Sequence, residues 1–321
     1  MFLAWTVNGF FQSTGWAPIL KLLSSWHSPE QSRKVAGIYA TSYVAGNALT
    51  WILTGWLVAN LSWQAAFWVP GALMGILAIV WYLTVRDTPQ AVGISLSAST
   101  SEDSNRIEAP QGKRPNMLQV LRRFWSLVLA AVNGGMLLFA LILWTPTYFV
   151  DVHHLGIDKA AIISTLFPIA GTIGTLSVSW LVAGPFCCKE IGFAIKIFIG
   201  IACLLILLST VSSLFWISTI LLVLVGSILY GVDTIITTIL PMVLSDRREV
   251  STVAGLIDFA FNIGASLAGI VIGTIVDRFS WSAVFIALTI TAGLTAFFLA
   301  IFAWWLKRIE GVRQEPAPQA I

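Results

Sequence analysis

The sequence predicts an all-α protein that crosses a membrane many times, and three observations carry that prediction. The chain is 57% hydrophobic and only 10% charged, with a mean hydropathy of +0.87, whereas a soluble domain carries about 25% charged residues. Its apolar residues gather into runs of roughly the 20 residues that a bilayer-crossing helix requires. One stretch is also written twice. Residues 35–67 (VAGIYATSYVAGNALTWILTGWLVANLSWQAAF) and 253–285 (VAGLIDFAFNIGASLAGIVIGTIVDRFSWSAVF) align without a gap, 218 positions apart. Twelve of the 33 positions are identical, among them Gly37/Gly255, Gly46/Gly264, Gly55/Gly273, Ser62/Ser280 and Trp63/Trp281. A repeat of this kind constrains the architecture before any other feature is weighed.

Nine spans follow in chain order. The first, 2–24, opens at Met1 with no basic-then-apolar signal peptide. The basic pair Arg33-Lys34 precedes the second, 35–59, and the third is 64–85. Residues 86–123, rich in Ser, Glu, Arg, Lys and Pro, form the only long polar stretch and read as a linker. The fourth span, 124–149, ends before His153 and His154, which are expected on a solvated loop. Spans 160–183, 192–212 and 215–243 lead to a second basic pair, Arg247-Arg248. The last two, 252–276 and 282–306, flank Asp277-Arg278, expected to pair locally, and a tail runs from 307 to 321. Gly71-x-x-x-Gly75 and Gly269-x-x-x-Gly273 have the small-residue spacing that lets helices approach closely in lipid. Several of the 15 tryptophans fall at span ends, where indoles anchor to the membrane interface.

Orientation follows from the basic residues of the short loops. With the linker in the cytoplasm, only Lys159 and Arg278 of the 18 lysines and arginines lie outside. The amino terminus is therefore expected outside and the carboxyl terminus in the cytoplasm, in a cell inner or plasma membrane. The repeat adds a division of the chain. Its copies cover spans two–three and eight–nine, six spans apart and in the same orientation, as in transporters built from parallel repeats. On that logic residues 124–306 form a complete six-helix bundle, residues 1–85 the second half of another, and three spans are expected before Met1.

Five stretches, NGFFQSTGWAP (8–18), GIYATSYVAGN (37–47), RDTPQAVGI (86–94), WTPTYF (144–149) and STVAGLIDFAFNIGASLAG (251–269), resemble the major facilitator superfamily. The resemblance is nearest its organophosphate–phosphate antiporter branch, the glycerol-3-phosphate transporters and sugar-phosphate exchangers. It implies a fold of twelve helices, of which this chain holds helices four to twelve. It also implies a phosphate grip made by arginines on helices one and seven and a histidine on helix five. Here the helix-seven arginine position holds Leu138 and the histidine position holds Tyr43.

Within the spans the ionisable groups that stand out are Asp233 (in LYGVDTII) and Asp258 (in GLIDFAFN). A charged Asp at the membrane centre costs about 2.5–3.5 kcal/mol on insertion scales, so such residues face cavities and carry function. They are candidates for coupling transport to a proton or other cation, against a protonated carboxyl merely hydrogen-bonded between helices. The family's path-lining helices imply further solute-binding candidates: Asn8 and Gln12, Asn133, and Tyr230 with Asp233 and Thr237. Helices five and eleven add Tyr43, Asn47, Asp258 and Asn262. Each of these residues has a plainer reading as an interhelical hydrogen bond.

No HExxH, GxSxG or phosphate-cradling loop is present, and no enzyme activity is expected. Cys187, Cys188 and Cys203 show neither metal-ligand spacing nor a disulfide framework, so neither metal nor cofactor is expected. A formal charge of +3 confined to loops does not point to nucleic acid. The expected partners are the lipid bilayer, a small solute, and a coupling proton or counter-anion. The expected function is secondary active transport of a small polar organic solute, an organophosphate or organic anion, by alternating access. The alternatives are a membrane sensor of an external solute and an inactive truncated remnant.

Overall fold

The computed structural model describes residues 2–93, 116–187, 189–245 and 249–314. Among them there are only helices, turns and short 3-10 or π segments. Eleven α-helices follow one another: α1 Phe2–Trp26, α2 Pro29–Asn60, α3 Ala65–Thr84, α4 Met117–His153, α5 Ile157–Ser164, α6 Leu166–Ala183, α7 Glu190–Val211, α8 Phe215–Thr234, α9 Leu240–Leu244, α10 Val250–Arg278 and α11 Trp281–Gln314. Every expected span lies in a helical stretch. Seven of these stretches are long and apolar enough to cross a membrane among the described residues. Helices α1 and α2 fall outside that set, because Asn8, Gln12 and Ser13 in one and Thr41, Ser42, Asn47 and Thr50 in the other dilute their apolar runs.

Local chemistry sets the boundaries. Ser28 accepts from the Gln31 amide while the Gln31 side chain returns a bond to the Ser28 amide, and Pro29 sits in the first turn, so α2 starts on a capping box. Asn116 accepts from the Leu118 amide at 3.1 Å and starts α4 at Met117, so residues 117–123, read as linker, are helical. Residues 94–115 of that linker lie outside the described residues. The expected span 160–183 is broken at Thr165, because Pro168 has no amide to give the Ser164 carbonyl. Pro241 acts likewise in the expected span 215–243, where Ile235–Ile239 widen into a π segment between α8 and α9.

Helices α4, α7, α8, α10 and α11 enclose most of the core, with Phe124, Tyr148, Phe198, Phe285 and Phe302 among its largest fully buried side chains. The outward faces carry Trp180, Trp216, Ile270 and Trp304, as a lipid-facing surface requires. Helix α3 buries none of its residues against the rest of the described chain.

Of the four glycines in the expected Gly-x-x-x-Gly pairs, only Gly273 stands at a helix contact, where a Cβ would lie 3.1 Å from the Trp144 ring of α4. Among the described residues, Gly71, Gly75 and Gly269 have no atom within 4 Å of where a side chain's first carbon would stand. Close approach falls instead to Gly135 and Gly264 between α4 and α10, and to Gly174 and Gly231 between α6 and α8. A Cβ on Gly264 would strike the Val132 carbonyl and lie 2.8 Å from the Met136 nitrogen, both backbone atoms that cannot step aside. Gly264→Val is therefore expected to cost about 3 kcal/mol or more of stability. The readout is loss of monodisperse protein in detergent and a lowered melting temperature, whereas Gly269→Val should leave both near the parent values.

His153 also departs from expectation. It is half-buried, with Nε2 at 3.2 Å from the Tyr148 hydroxyl and 3.1 Å from Ser218 Oγ, and its ring meets Phe215 edge-on. His154 is exposed, and its left-handed φ of 54° ends α4. Asp277 and Arg278 are exposed, and no ion pair joins them; Arg123 and Glu249 pair instead, at 3.5 Å.

Candidate functional site

A cavity of about 950 Å³ opens where α1, α2, α4, α8 and α10 converge. Helix α1 contributes Gly9, Gln12, Trp16 and Ala17, and α2 contributes Tyr43. Leu138, Phe139 and Ile142 come from α4, spaced three and four apart as one helical face requires. Tyr230 and Asp233 project from the end of α8, and Thr237 from the π segment that follows. Helix α10 closes the cavity with Gly255, Asp258, Phe259, Phe261 and Asn262.

Seven of the ten residues singled out in the sequence meet around this cavity: Gln12, Tyr43, Tyr230, Asp233, Thr237, Asp258 and Asn262. Asn8 and Asn133 do not line it. Asn8 is exposed near the start of α1. Asn133 turns its amide back onto its own helix, donating to the Leu129 carbonyl at 2.8 Å. The side chain of Asn47 lies outside the described residues. Leu138, noted only as the occupant of an arginine position, is part of the wall. Trp16, Phe139, Phe259 and Phe261 were not singled out at all.

The polar groups are unevenly satisfied. Thr237 Oγ1 donates to the Asp233 backbone carbonyl at 2.9 Å, and Asn262 Nδ2 to that of Asp258 at 2.8 Å, so both side chains are held by their own helices. Among the described residues neither aspartate carboxyl group accepts a hydrogen bond. The two carboxylates nonetheless line the same cavity, although they stand on different helices. Tyr39 feels Asp258, and Tyr230 feels both Tyr43 and Asp233. Trp16 forms an aromatic wall with Tyr39 (4.9 Å between ring centres) and Tyr43 (6.2 Å, edge to face), and its buried indole N–H has no partner among the described residues. No Lys, Arg or His lines the cavity among the described residues. The result is an aromatic, acidic chamber with unused acceptors, suited to holding a small polar molecule, and among the described residues it has no basic group to grip an anion.

Comparison with known proteins places these features in a family. The model of the Major Facilitator Superfamily matches residues 1–269. A probable hexose phosphate transport protein of Chlamydia pneumoniae is 28% identical over 94% of this chain and 70% of its own length. The glycerol-3-phosphate transporter of Bacillus subtilis is 25% identical over 97% of this chain and 72% of its own length. The membrane sensor protein UhpC of Escherichia coli is 24% identical over 93% and 70%. The helical architecture, the repeated apolar spans and this match together make the protein a multi-pass membrane protein, and the chain belongs to the Major Facilitator Superfamily.

Proposed function

We propose that this protein is a secondary active transporter that moves a small polar organic solute of the organophosphate or organic-anion class by alternating access. The observation that carries the reading is the cavity: five helices, drawn from both sides of the linker, converge on one chamber of about 950 Å³, large enough for a small metabolite. The transporters of hexose phosphate and glycerol-3-phosphate among its relatives support the solute class. Within that class the acidic lining favours a singly charged anion or a neutral polar end over a phosphate dianion. Gln12, Tyr43, Tyr230, Thr237 and Asn262 are the proposed solute contacts. The decisive measurement is uptake of radiolabelled solutes, glycerol-3-phosphate and glucose-6-phosphate beside simple carboxylates and sugar acids, into vesicles carrying the protein. Uptake of none above protein-free vesicles overturns the reading.

The sensor relative supports a second reading, in which the same cavity detects an external solute without conducting it. Solute binding by the purified protein without vesicle uptake is its signature.

The same reading places residues 1–85 in one bundle and 124–306 in the other, with the 86–123 linker and the 307–321 tail in the cytoplasm and the amino terminus outside. Protease added to sealed spheroplasts is expected to spare the linker, and protease added to inverted vesicles to cut it. The opposite pattern reverses the topology.

A further inference from the structure

Helix α4 is 37 residues long, about 55 Å at 1.5 Å per residue, so its ends stand clear of the roughly 30 Å of hydrocarbon it crosses. Its closing segment is set apart by Pro146, which has no amide to give the Ile142 carbonyl. The backbone ladder is therefore interrupted just beyond the cavity wall, to which Ile142 belongs, and residues 147–153 lean on side chains for their seat. Tyr148 and His153 supply them. The Tyr148 hydroxyl donates to the Ser212 carbonyl, in the turn before α8. His153 Nε2 lies 3.2 Å from that hydroxyl and 3.1 Å from Ser218 Oγ of α8. Ser218 Oγ in turn donates to the Phe215 carbonyl at 3.1 Å. Both hydroxyl hydrogens are thus committed elsewhere. The network assigns the proton to Nε2, which donates to the two oxygens, and leaves Nδ1 as the bare nitrogen of the neutral ring.

The imidazole sits among Tyr148, Phe149 and Phe215, with ring centres 5.3, 5.9 and 5.2 Å away. The titratable groups at this end of the bundle give it no counter-charge. On α4, Asp151 accepts instead from the Trp281 indole at 3.3 Å, and His154 is the next residue. Lys159 on α5 and Asp277 and Arg278 closing α10 make no bond to the ring, and the side chain of Asp158 lies outside the described residues. The end of α7 and the first turns of α8 and α11 carry no titratable side chain. A second proton, on Nδ1, has no acceptor among the described residues. The two oxygens gain from a charged donor, but they are neutral and share one hydrogen. That gain does not replace the hydration an imidazolium loses among aromatic rings. Burial, followed by the charge of His154, accordingly holds the His153 pKa below the ordinary histidine value. The seat is fully made above that ordinary value of about 6.5, and it weakens as the pH falls from there through the lower folded value.

We propose that His153 is an acid-released latch: neutral, it holds the segment of α4 beyond Pro146 against α8, and its second proton frees that segment to turn about the proline. Its consequence for solute movement rests on the reading of the cavity as the solute's path, because Ile142 joins the hinge to the chamber wall. The latch itself is measurable without any solute.

Hydrogen–deuterium exchange of the purified full chain in lipid nanodiscs tests it, read by mass spectrometry over a pH series and corrected for the intrinsic pH dependence of amide exchange. In the parent, amides 147–153 should exchange at least about tenfold faster at about pH 5 than at about pH 8 after that correction, while amides 130–140 of the same helix stay unchanged. His153→Gln keeps a neutral N–H donor that does not titrate, so its segment should stay protected across the series. His154→Asn should follow the parent. The proposal is overturned by a parent segment whose exchange is indifferent to pH or slows in acid, and equally by a His153→Gln variant with the parental pH profile. Should His153→Gln lose its helical circular dichroism, Tyr148→Phe takes its place. Without the shared oxygen and the bond to Ser212, its segment should already exchange faster at the alkaline end, and a folded Tyr148→Phe with parental protection throughout counts against the latch. Vesicle uptake is scored separately: its absence with this exchange profile intact would overturn the transport reading and leave the latch standing.

Discussion

Asp258→Asn is expected to abolish accumulation of solute against a gradient while leaving exchange of internal for external solute intact. Uphill movement requires that solute and cation enter the closed chamber together, and an amide cannot take up a cation's charge. Exchange requires only that the loaded chamber reopen on either side, and for that step a neutral amide is as good as a neutralised acid, with nearly the same shape. Asp233→Asn is expected to show the same split, since its carboxylate shares the cavity with that of Asp258. The measurement pairs two assays on one batch of proteoliposomes. In the first, an imposed pH or sodium gradient drives uptake, and the variant should fall to the level reached without a gradient. In the second, vesicles preloaded with unlabelled solute take up labelled solute, and the variant should stay within about threefold of the parent. That margin amounts to less than about 1 kcal/mol in the barrier. Near-normal accumulation by Asp258→Asn would show that this carboxyl group is only a buried polar residue, and the coupling idea would fail.

The same aspartates show what could be read in the sequence. An ionisable residue inside an apolar run is conspicuous, and Asp233 and Asp258 were visible for that reason. Tyr43 and Asn262 were found because they are polar and fall on stretches with a family resemblance, and Tyr230 because it is polar and falls on a helix that the resemblance implies lines the path. The architecture was legible for a similar reason: spans contrast with loops, and a gapless repeat survives in paired glycines such as Gly46/Gly264. The aromatic and aliphatic wall was not legible. In a chain that is 57% hydrophobic, nothing distinguishes Phe139 or Phe259 at the cavity from a phenylalanine facing lipid. Helical rotation explains one miss. At about 100° per residue, five positions from Asn133 to Leu138 turn the helix by about 140°, so Asn133 points away from the face that Leu138 lends the cavity. Asn8 lies one turn beyond Gln12, past the end of the chamber. Three of the four glycine contacts were misassigned because spacing states only that helices are able to approach. Partners decide where they do, and Gly264 has the Val132 backbone against it while Gly269 has no atom within 4 Å among the described residues. The π segment had Pro241 as its only sequence signal, and a proline marks a disturbed helix without saying which form the disturbance takes.

Inorganic phosphate is expected not to compete with the transported solute, although relatives of this chain carry hexose phosphate and glycerol-3-phosphate in their names. A phosphate monoester bears between about one and two negative charges near neutral pH. A sphere of 950 Å³ is about 12 Å across, so a central anion lies roughly 6 Å from a wall carboxylate, and at an effective dielectric of about 20 each pair of unit charges repels by about 3 kcal/mol. A coupling cation at the aspartates would cancel part of that, and a hydroxyl or amide of the lining adds a neutral hydrogen bond of about 1 kcal/mol. Neither replaces a bidentate arginine, which matches a phosphate in geometry as well as in charge. Leu138 holds the position where the resemblance implies that arginine, and it lines the cavity. Leu138→Arg is therefore expected to create the missing grip, its guanidinium facing the chamber and compensated in the resting state by the aspartates. The experiment measures solute uptake by parent, Leu138→Arg and Leu138→Met proteins over a series of phosphate concentrations. The parent and Leu138→Met should be insensitive to phosphate at millimolar levels. Leu138→Arg should become at least about tenfold more sensitive, the equivalent of about 1.4 kcal/mol of new affinity. Inhibition of the parent by micromolar phosphate would show that the cavity holds the dianion without a basic side chain from the described residues, and the charge argument would be overturned.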